Sequence, residues 1–401
     1  MKRLHREASY PEIPPDREDG SSSWVHRGLI LSGRLGRVSP LALLPLWVGL
    51  ALLMGWLWWP LWLAGAGFAL MVALDAAMLA GLPKTRRSWG PVTPPLLGLA
   101  VVRLLIFALG RLLGGGGLSL AVIVLANLAL SGVAFYATWI EPFQIRRTEE
   151  RFRVATWASG EPVRVMHISD IHFEGASLRE ARLLDLAREE KPDLVLLTGD
   201  YLNLSSVYDP AAQEGARQLL AQLAAPLGVY AITGSPVVDV AGIVPEIFDG
   251  LDIHWLDDEA VPVDVGGRDL WLLGVRNTYD EERDTQALEK LAATTPTEAF
   301  RILLYHTPDL MPIATGLGVE LYLCGHTHGG QIRLPGYGAV VTSSRWGKRY
   351  EQGRYEAGET TLYVSRGLGL EGLGAPRARF LAPPEVIVWD LEPAQSLSSA
   401  H

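Results

Sequence analysis

Between Pro40 and Leu82 the chain carries one formal charge, Asp75, and between Leu118 and Ile140 it carries none. Stretches this apolar leave few folds open. In hydrocarbon every backbone N–H and C=O must find a partner inside the protein, which restricts a spanning segment to a helix or a closed barrel. A helix needs ~20 apolar residues to cross. The first stretch is long enough for two, with a turn at Trp58-Trp59-Pro60, where interfacial tryptophans belong. A third segment, 94–113, contains Arg103 and Arg111, and Gly114-Gly115-Gly116-Gly117 turns the chain into a fourth, 118–140. We therefore expect a membrane domain over residues 39–142 with four transmembrane helices, preceded by a flexible basic tail over 1–38. The apolar stretch starts too late and runs too long for a cleavable secretory signal. Asp75 and Arg103, as charges within spans, should face the bundle interior and pair.

Basic residues set the expected orientation. Lys2, Arg3, Arg6, Arg17, Arg27, Arg34 and Arg37 precede the first span; Lys84, Arg86 and Arg87 lie between the second and third; Arg146, Arg147, Arg151 and Arg153 come after the fourth. The positive-inside bias places all three groups, and the chain beyond residue 150, in the cytoplasm of a multi-pass cell-membrane protein. Failure of the Arg103 segment to span would put the remainder outside. The net charge of −9 argues against nucleic acid as a partner, since that role leaves a basic footprint. A single cysteine, Cys324, excludes a disulfide framework and a cysteine-based zinc ribbon, and its apolar strand context reads as a small buried hydrophobe.

Beyond residue 150 the pattern becomes α/β. Apolar runs at Val163–Ile168, Leu194–Leu197, Val229–Thr233, Arg301–Tyr305 and Leu321–Cys324 read as buried strands, and Glu385–Asp390 as the last one. Ser177-Leu178-Arg179-Glu180 is a capping box opening a helix to about Glu190. Helices are also expected at Ala211–Leu223 and near Thr285–Ala293, and 393–401 reads as a disordered tail. Several strands end in short polar clusters: Asp170-Ile171-His172, Gly199-Asp200, His306 and Gly325-His326-Thr327-His328-Gly329-Gly330-Gln331. Open α/β sheets place ligand sites at such strand ends. Carboxylates and imidazoles without a thiolate set suit Mn²⁺, Fe or Zn²⁺. Six of them exceed what one structural tetrahedral ion needs, so a two-metal site is expected. His167 lies on the opposite strand parity to this cluster and reads as core, and His254 as surface.

Asp-x-His, Gly-Asp, His and Gly-His-x-His in this order resemble the calcineurin-like metallophosphoesterase superfamily. The Gly-Gly-Gln continuation, Ser365-Arg366-Gly367-Leu368-Gly369 and Pro383-Pro384-Glu385 are similar to its membrane-associated bacterial branch. The resemblance covers roughly residues 160 to 392, within an expected hydrolase domain of 150–392. It implies a metallophosphoesterase-type β-sandwich flanked by helices and two divalent ions. Asp170, His172 and His328 would take the first ion, His306 and His326 the second, and Asp200 would bridge them. Asp200, His326 and His328 carry the expected catalysis, a shared water becoming the hydroxide that attacks phosphorus in line. Arg366 and Gly329 are the candidate substrate-phosphate contacts.

The chain departs from the family at one motif. After the third strand the family carries Gly-Asn-His-Asp or Gly-Asn-His-Glu, whereas this chain has Gly234-Ser235-Pro236-Val237. Ser235 stands where an asparagine would bind the second ion, and Pro236 where a histidine would act beside the leaving group. Two functions are compatible with the whole pattern. One is a membrane-anchored hydrolase of phosphodiester or pyrophosphate bonds, acting on a phosphorylated small molecule or a lipid-linked substrate. The other is a catalytically weak or inactive membrane sensor or scaffold that binds metal and a phosphorylated ligand.

Overall fold

The computed structural model describes residues 31–58, 62–112, 114 and 116–394. Four helices succeed one another at its start: α1 (Leu44–Leu57, led by a 3-10 turn over Pro40–Leu43), α2 (Leu63–Lys84), α3 (Thr93–Leu112) and α4 (Gly117–Phe135), the last continuing through a π-helical turn over Tyr136–Ile140. Each is long and apolar enough to cross a bilayer. Their packing fits that solvent. Phe68, Val72, Leu79, Leu96, Ala100, Phe107 and Ile123 fill the interior, with Phe68 edge-on to Phe107 at 6.0 Å. Leu52, Trp56, Leu109 and Leu125 face outward, an apolar exterior that water would penalise and hydrocarbon does not. The expected ion pair is present. Arg103, fully buried, donates Nε to Asp75 Oδ2 at 2.8 Å and Nη2 to Asp75 Oδ1 at 2.7 Å, and also reaches Asn127 Oδ1 and Ser131 Oγ at 2.9 Å each.

The chain divides into two compact units. One comprises the helices together with Glu371–Phe380; the other comprises 142–370 and 381 onward. This differs from the sequence expectation of one uninterrupted segment over 150–392. The Arg379 N–H donates to the Ala137 carbonyl at 2.8 Å, and Phe380 packs edge-on to Tyr136, so ten residues from beyond the last metal-site motif belong with the helices. Residues 31–36 are helical, where a flexible tail is expected; residues 1–30 of that tail and residues 395–401 lie outside the described residues.

In the second unit, two six-stranded sheets form a sandwich. The first runs β1 (Arg146–Val154), β14 (Glu385–Pro393), β2 (Val163–Ile168), β3 (Leu194–Leu197), β4 (Val229–Ala231), β5 (His254–Trp255). The second runs β12 (Gly353–Ala357), β13 (Thr360–Val364), β9 (Leu321–Cys324), β8 (Phe300–Leu304), β7 (Asp269–Gly274), β6 (Glu259–Asp264), and a small ribbon pairs β10 (Arg333–Leu334) with β11 (Gly338–Ala339). Strand alternation sorts the side chains. Val163, Val165, Leu194 and Leu196 face Leu270, Leu272, Phe300, Ile302 and Leu321 between the sheets. Met166, Ile168, Val195 and Leu197 face outward under α5 (Leu178–Glu190), α6 (Pro210–Leu220) and α7 (Val244–Phe248). Leu303, Tyr322 and Leu362 do the same under α8 (Glu281–Thr294) and α9 (Met311–Gly316). Strands covered on both faces read as unbroken apolar runs, which is why the central ones stand out in the sequence. The capping box is formed: the Ser177 hydroxyl accepts from Arg179 N–H at 3.1 Å while Glu180 accepts from Ser177 N–H at 2.7 Å.

Candidate metal centre

β2, β3 and β4 run parallel, as do β7, β8, β9 and β13. The loops leaving β2, β3, β4, β8 and β9 carry Asp170 and His172, Asp200, Ser235, His306, and His326 and His328, and these side chains converge. Two groups form. Asp170, His172 and His328 bring ligand atoms within 4.8 Å of one another, and so do Asp200, His306 and His326. His172 Nε2 lies 3.0 Å from His328 Nε2, and His306 Nε2 lies 3.1 Å from His326 Nδ1. Asp200 Oδ2 stands between the groups, 3.5 Å from His172 Nε2 and 3.4 Å from His306 Nε2. Two ligands at Zn–N distances of about 2.0–2.1 Å would sit roughly 3.3 Å apart around one tetrahedral ion, so these separations fit shared cations.

Backbone conformation marks the same residues. Asp170, His172, Asp200, His326 and His328 have φ of 51°, 44°, 58°, 68° and 53°. A non-glycine residue in that left-handed region costs of order 1–3 kcal/mol and persists only where its surroundings impose it. Here Asp170 N–H donates to Gly199 O at 3.0 Å and His172 N–H to Asp200 O at 2.9 Å. The Asp170 carboxylate accepts the His326 N–H, at 3.0 Å to Oδ1. Gly325 is required by close approach: a methyl there would overlap both Asp170 Oδ2 and the Ser169 hydroxyl. The His306 ring is oriented by its Nδ1, 2.8 Å from the Thr198 carbonyl; donation from Nδ1 leaves Nε2 to face the centre.

The electrostatics favour a cation. Burial opposes charge on His306, but Asp200, with Asp170 and the Thr198 carbonyl, outweighs it and lifts the imidazole to about 10. Burial pushes Asp200 upward, yet His306 and the neighbouring imidazoles hold it below the ordinary carboxylate range. Asp170 is raised, by burial first and by the charge of Asp200. His326 falls to about 3 through burial and the charge on His306. Carboxylates that keep an imidazole charged against burial would favour a cation in the same place.

Ser235 sits where the altered motif places it. Its Oγ is 3.2 Å from His306 Nε2, 3.4 Å from His326 Nδ1 and 3.3 Å from Asp200 Oδ2, and its N–H donates to Asp200 Oδ1 at 2.6 Å. Arg366 pairs with buried Glu385 at 2.5 Å and lies against Gly329, whose N–H donates to Thr327 Oγ1 at 3.3 Å and whose carbonyl accepts from Arg333 at 3.0 Å. His167 faces the inter-sheet core with Nε2 2.9 Å from Thr198 Oγ1, burial lowering it to about 3; His254 is exposed and stacks on Tyr230. Cys324 is buried. Sequence reasoning gave no structural role to Asp239, a buried carboxylate beneath Asp200 that accepts three backbone N–H groups. Burial, then the charge of Asp200, pushes it to about 7 against those bonds. Its one sequence signal is a lone charge in Pro236-Val237-Val238-Asp239-Val240-Ala241.

Comparison with known proteins agrees with this geometry. Residues 163–330 match the family model described as calcineurin-like phosphoesterase. A metallophosphoesterase of Bacillus subtilis, YkuE, is 31% identical over 274 residues, covering 66% of this chain and 92% of its own. The phosphodiesterase YaeI of Escherichia coli is 28% identical over 274 residues, covering 66% of this chain and 95% of its own. The UDP-2,3-diacylglucosamine pyrophosphatase LpxG of Chlamydia trachomatis is 25% identical over 307 residues, covering 63% and 90%.

Proposed function

The chain belongs to the calcineurin-like phosphoesterase family and is a phosphoric-ester hydrolase, and from that premise we propose a membrane-anchored, two-metal enzyme that cleaves phosphodiester or pyrophosphate bonds in a lipid-linked substrate. The observation that carries the two-metal reading is Asp200, whose carboxylate stands within 3.5 Å of a histidine of each ligand group. Asp170, His172 and His328 would hold one ion, His306, His326 and Ser235 the other, and Asp200 both. Mn²⁺, Fe and Zn²⁺ all suit this donor set. Bound there, divalent ions supply Lewis acidity toward phosphoryl oxygens and a water acidic enough to attack near neutral pH.

The protein's own residues then set the chemistry. The strained, hydrogen-bonded loops fix the imidazoles before substrate arrives, so little reorganisation accompanies the reaction. Arg366 is the side chain we assign to the substrate phosphate, because its fork matches phosphate oxygens in pairs; it would exchange part of its contact with Glu385 to do so. Pro236 can neither give nor take a proton. The leaving group must therefore depart without help at that position, which favours anhydrides and aryl esters over alkyl esters. A pyrophosphate link has such a leaving group, and a relative is named for cleaving one in a diacylated sugar nucleotide. The four helices support residues 39–142 as the anchor, and the basic residues of the connecting segments support a cytoplasmic hydrolase domain over 150–392, with 371–380 contributed to the helical unit.

The test is turnover by the full chain in detergent with Mn²⁺, comparing alkyl and aryl phosphodiesters and a nucleoside-diphosphate ester. General acid catalysis contributes about 10²–10⁴-fold, so alkyl esters should lag the other two by a factor of that order. Equal rates would refute the role given to Pro236. Metal binding with no turnover of any of the three would favour the sensor or scaffold, for which Ser235-Pro236 is the supporting observation.

A further inference from the structure

The ends of β3 and β4 are joined beneath the metal centre by one carboxylate. Asp239 Oδ2 accepts the N–H of Asp200 and of Gly234, each at 2.7 Å, and Oδ1 accepts the N–H of Tyr201 at 3.0 Å. The Asp239 N–H returns to the Ser235 carbonyl at 2.8 Å, closing residues 235–239 into a single turn that also takes the Val238 N–H. Asp239 is 4% exposed and points at backbone amides rather than at the ligand atoms.

Two things need holding at this place. Asp200 sits at φ 58°, a conformation its own side chain disfavours, and its amide is pinned by Asp239. Gly234 passes so close to Gly199 and Asp200 that a Cβ on it would overlap the Asp200 carboxylate, so the spacing of the two loops must be maintained. That spacing brings Ser235 N–H onto Asp200 Oδ1 and Ser235 Oγ to His306 and His326. A serine reaches less far than an asparagine, so its backbone must be placed more closely for its oxygen to serve.

We propose that Asp239 is the positioning residue of the second metal position: it fixes the bridging carboxylate of Asp200 and the Ser235 loop together, and so orders a site from which the family's Asn-His pair is absent. The proposal rests on the two-metal reading. It differs from a purely folding role, which would lower stability without distinguishing one ion from the other. The contacts that hold Asp170 and His172, namely the Gly199 and Asp200 carbonyls and the His326 N–H, are not made by the Asp239 side chain.

The experiment is titration of the metal-free full chain with Mn²⁺ in detergent, by calorimetry and elemental analysis, for wild type, Asp239→Asn and Asp239→Ala. Circular dichroism and thermal unfolding accompany each titration. Asparagine keeps the volume but sets an NH₂ against backbone donors, so the fold should survive while the contacts are lost. Removing an outer partner of a metal ligand typically weakens metal binding about 10–100-fold. The expected result is a loss of that order for the second ion in Asp239→Asn, a larger one in Asp239→Ala, and a smaller effect on the first ion. Both variants binding two ions like the wild type would overturn the proposal. So would equal weakening of both ions in step with a fall in unfolding temperature. A wild type that binds fewer than two ions would overturn the two-metal reading and this role with it.

Discussion

Substituting Gly325 with alanine adds one methyl group at the most crowded point of the centre. That methyl would lie far inside the 3.0 Å that real Cβ atoms keep, against Asp170 Oδ2 and the Ser169 hydroxyl. Asp170 cannot swing away freely. Asp170 is buried with its carboxylate on the His326 N–H, and Gly325 is itself tied by its N–H to the His306 carbonyl at 2.9 Å. Over-packing of this kind costs about 1–3 kcal/mol, which most domains survive. The functional cost is larger. The carboxylate must retreat by roughly 1 Å, and a misplacement of that size can lose about 10²-fold in rate. Gly325→Ala should therefore lower kcat/KM about a hundredfold and weaken metal binding by the Asp170 group, with a folded far-UV spectrum. Gly316→Ala, at the end of α9 where a Cβ meets nothing within 4 Å, is the control and should be unaffected. Wild-type metal content and turnover in Gly325→Ala would refute the placement of Asp170 as a ligand.

Other parts of the molecule can be perturbed with equally definite outcomes. Asp75→Leu leaves Arg103 buried without its counter-charge and should destabilise the helices by about 3–5 kcal/mol, whereas Asp75→Leu with Arg103→Leu should recover most of that loss; unfolding in detergent measures both. His306, held at about 10, is protonated in the metal-free protein near neutral pH and must lose that proton to bind an ion. Mn²⁺ binding at pH 7.5 should thus release protons, seen as a buffer-dependent binding enthalpy, and its apparent affinity should rise with pH up to about 10; an affinity independent of pH would contradict this. The basic-residue pattern predicts that a reporter fused after residue 401, active only outside the cell membrane, stays silent, and a strong external signal would reverse the proposed orientation.

The parts of the fold that were legible in the sequence are those with one dominant physical cause. Strands β2, β3, β8 and β9 are covered on both faces, so their composition is apolar and their polar ends stand out. The four apolar helices were legible because hydrocarbon admits little else. β1 was not: Arg146–Val154 is an edge strand with alternating exposed charges, a pattern that guards an edge against stray pairing and that stands out in the sequence only as the basic group after the fourth span. Residues 371–380, rich in glycine and arginine with no period, gave no sign that they belong with the helices. At the centre, Asp170, His172, Asp200, His306, His326 and His328 were legible as a motif set. Asp239 was not, because its role depends on two loops meeting, and spacing along one chain does not record that.

The central claim is that one carboxylate, Asp200, holds two ions. Elemental analysis of the full chain and of Asp200→Ala, each loaded with Mn²⁺ and freed of excess, tests it directly. The account predicts two ions per wild-type chain and, once the carboxylate shared by both positions is gone, loss of both ions and of hydrolysis. An Asp200→Ala protein that still carries two ions would contradict it.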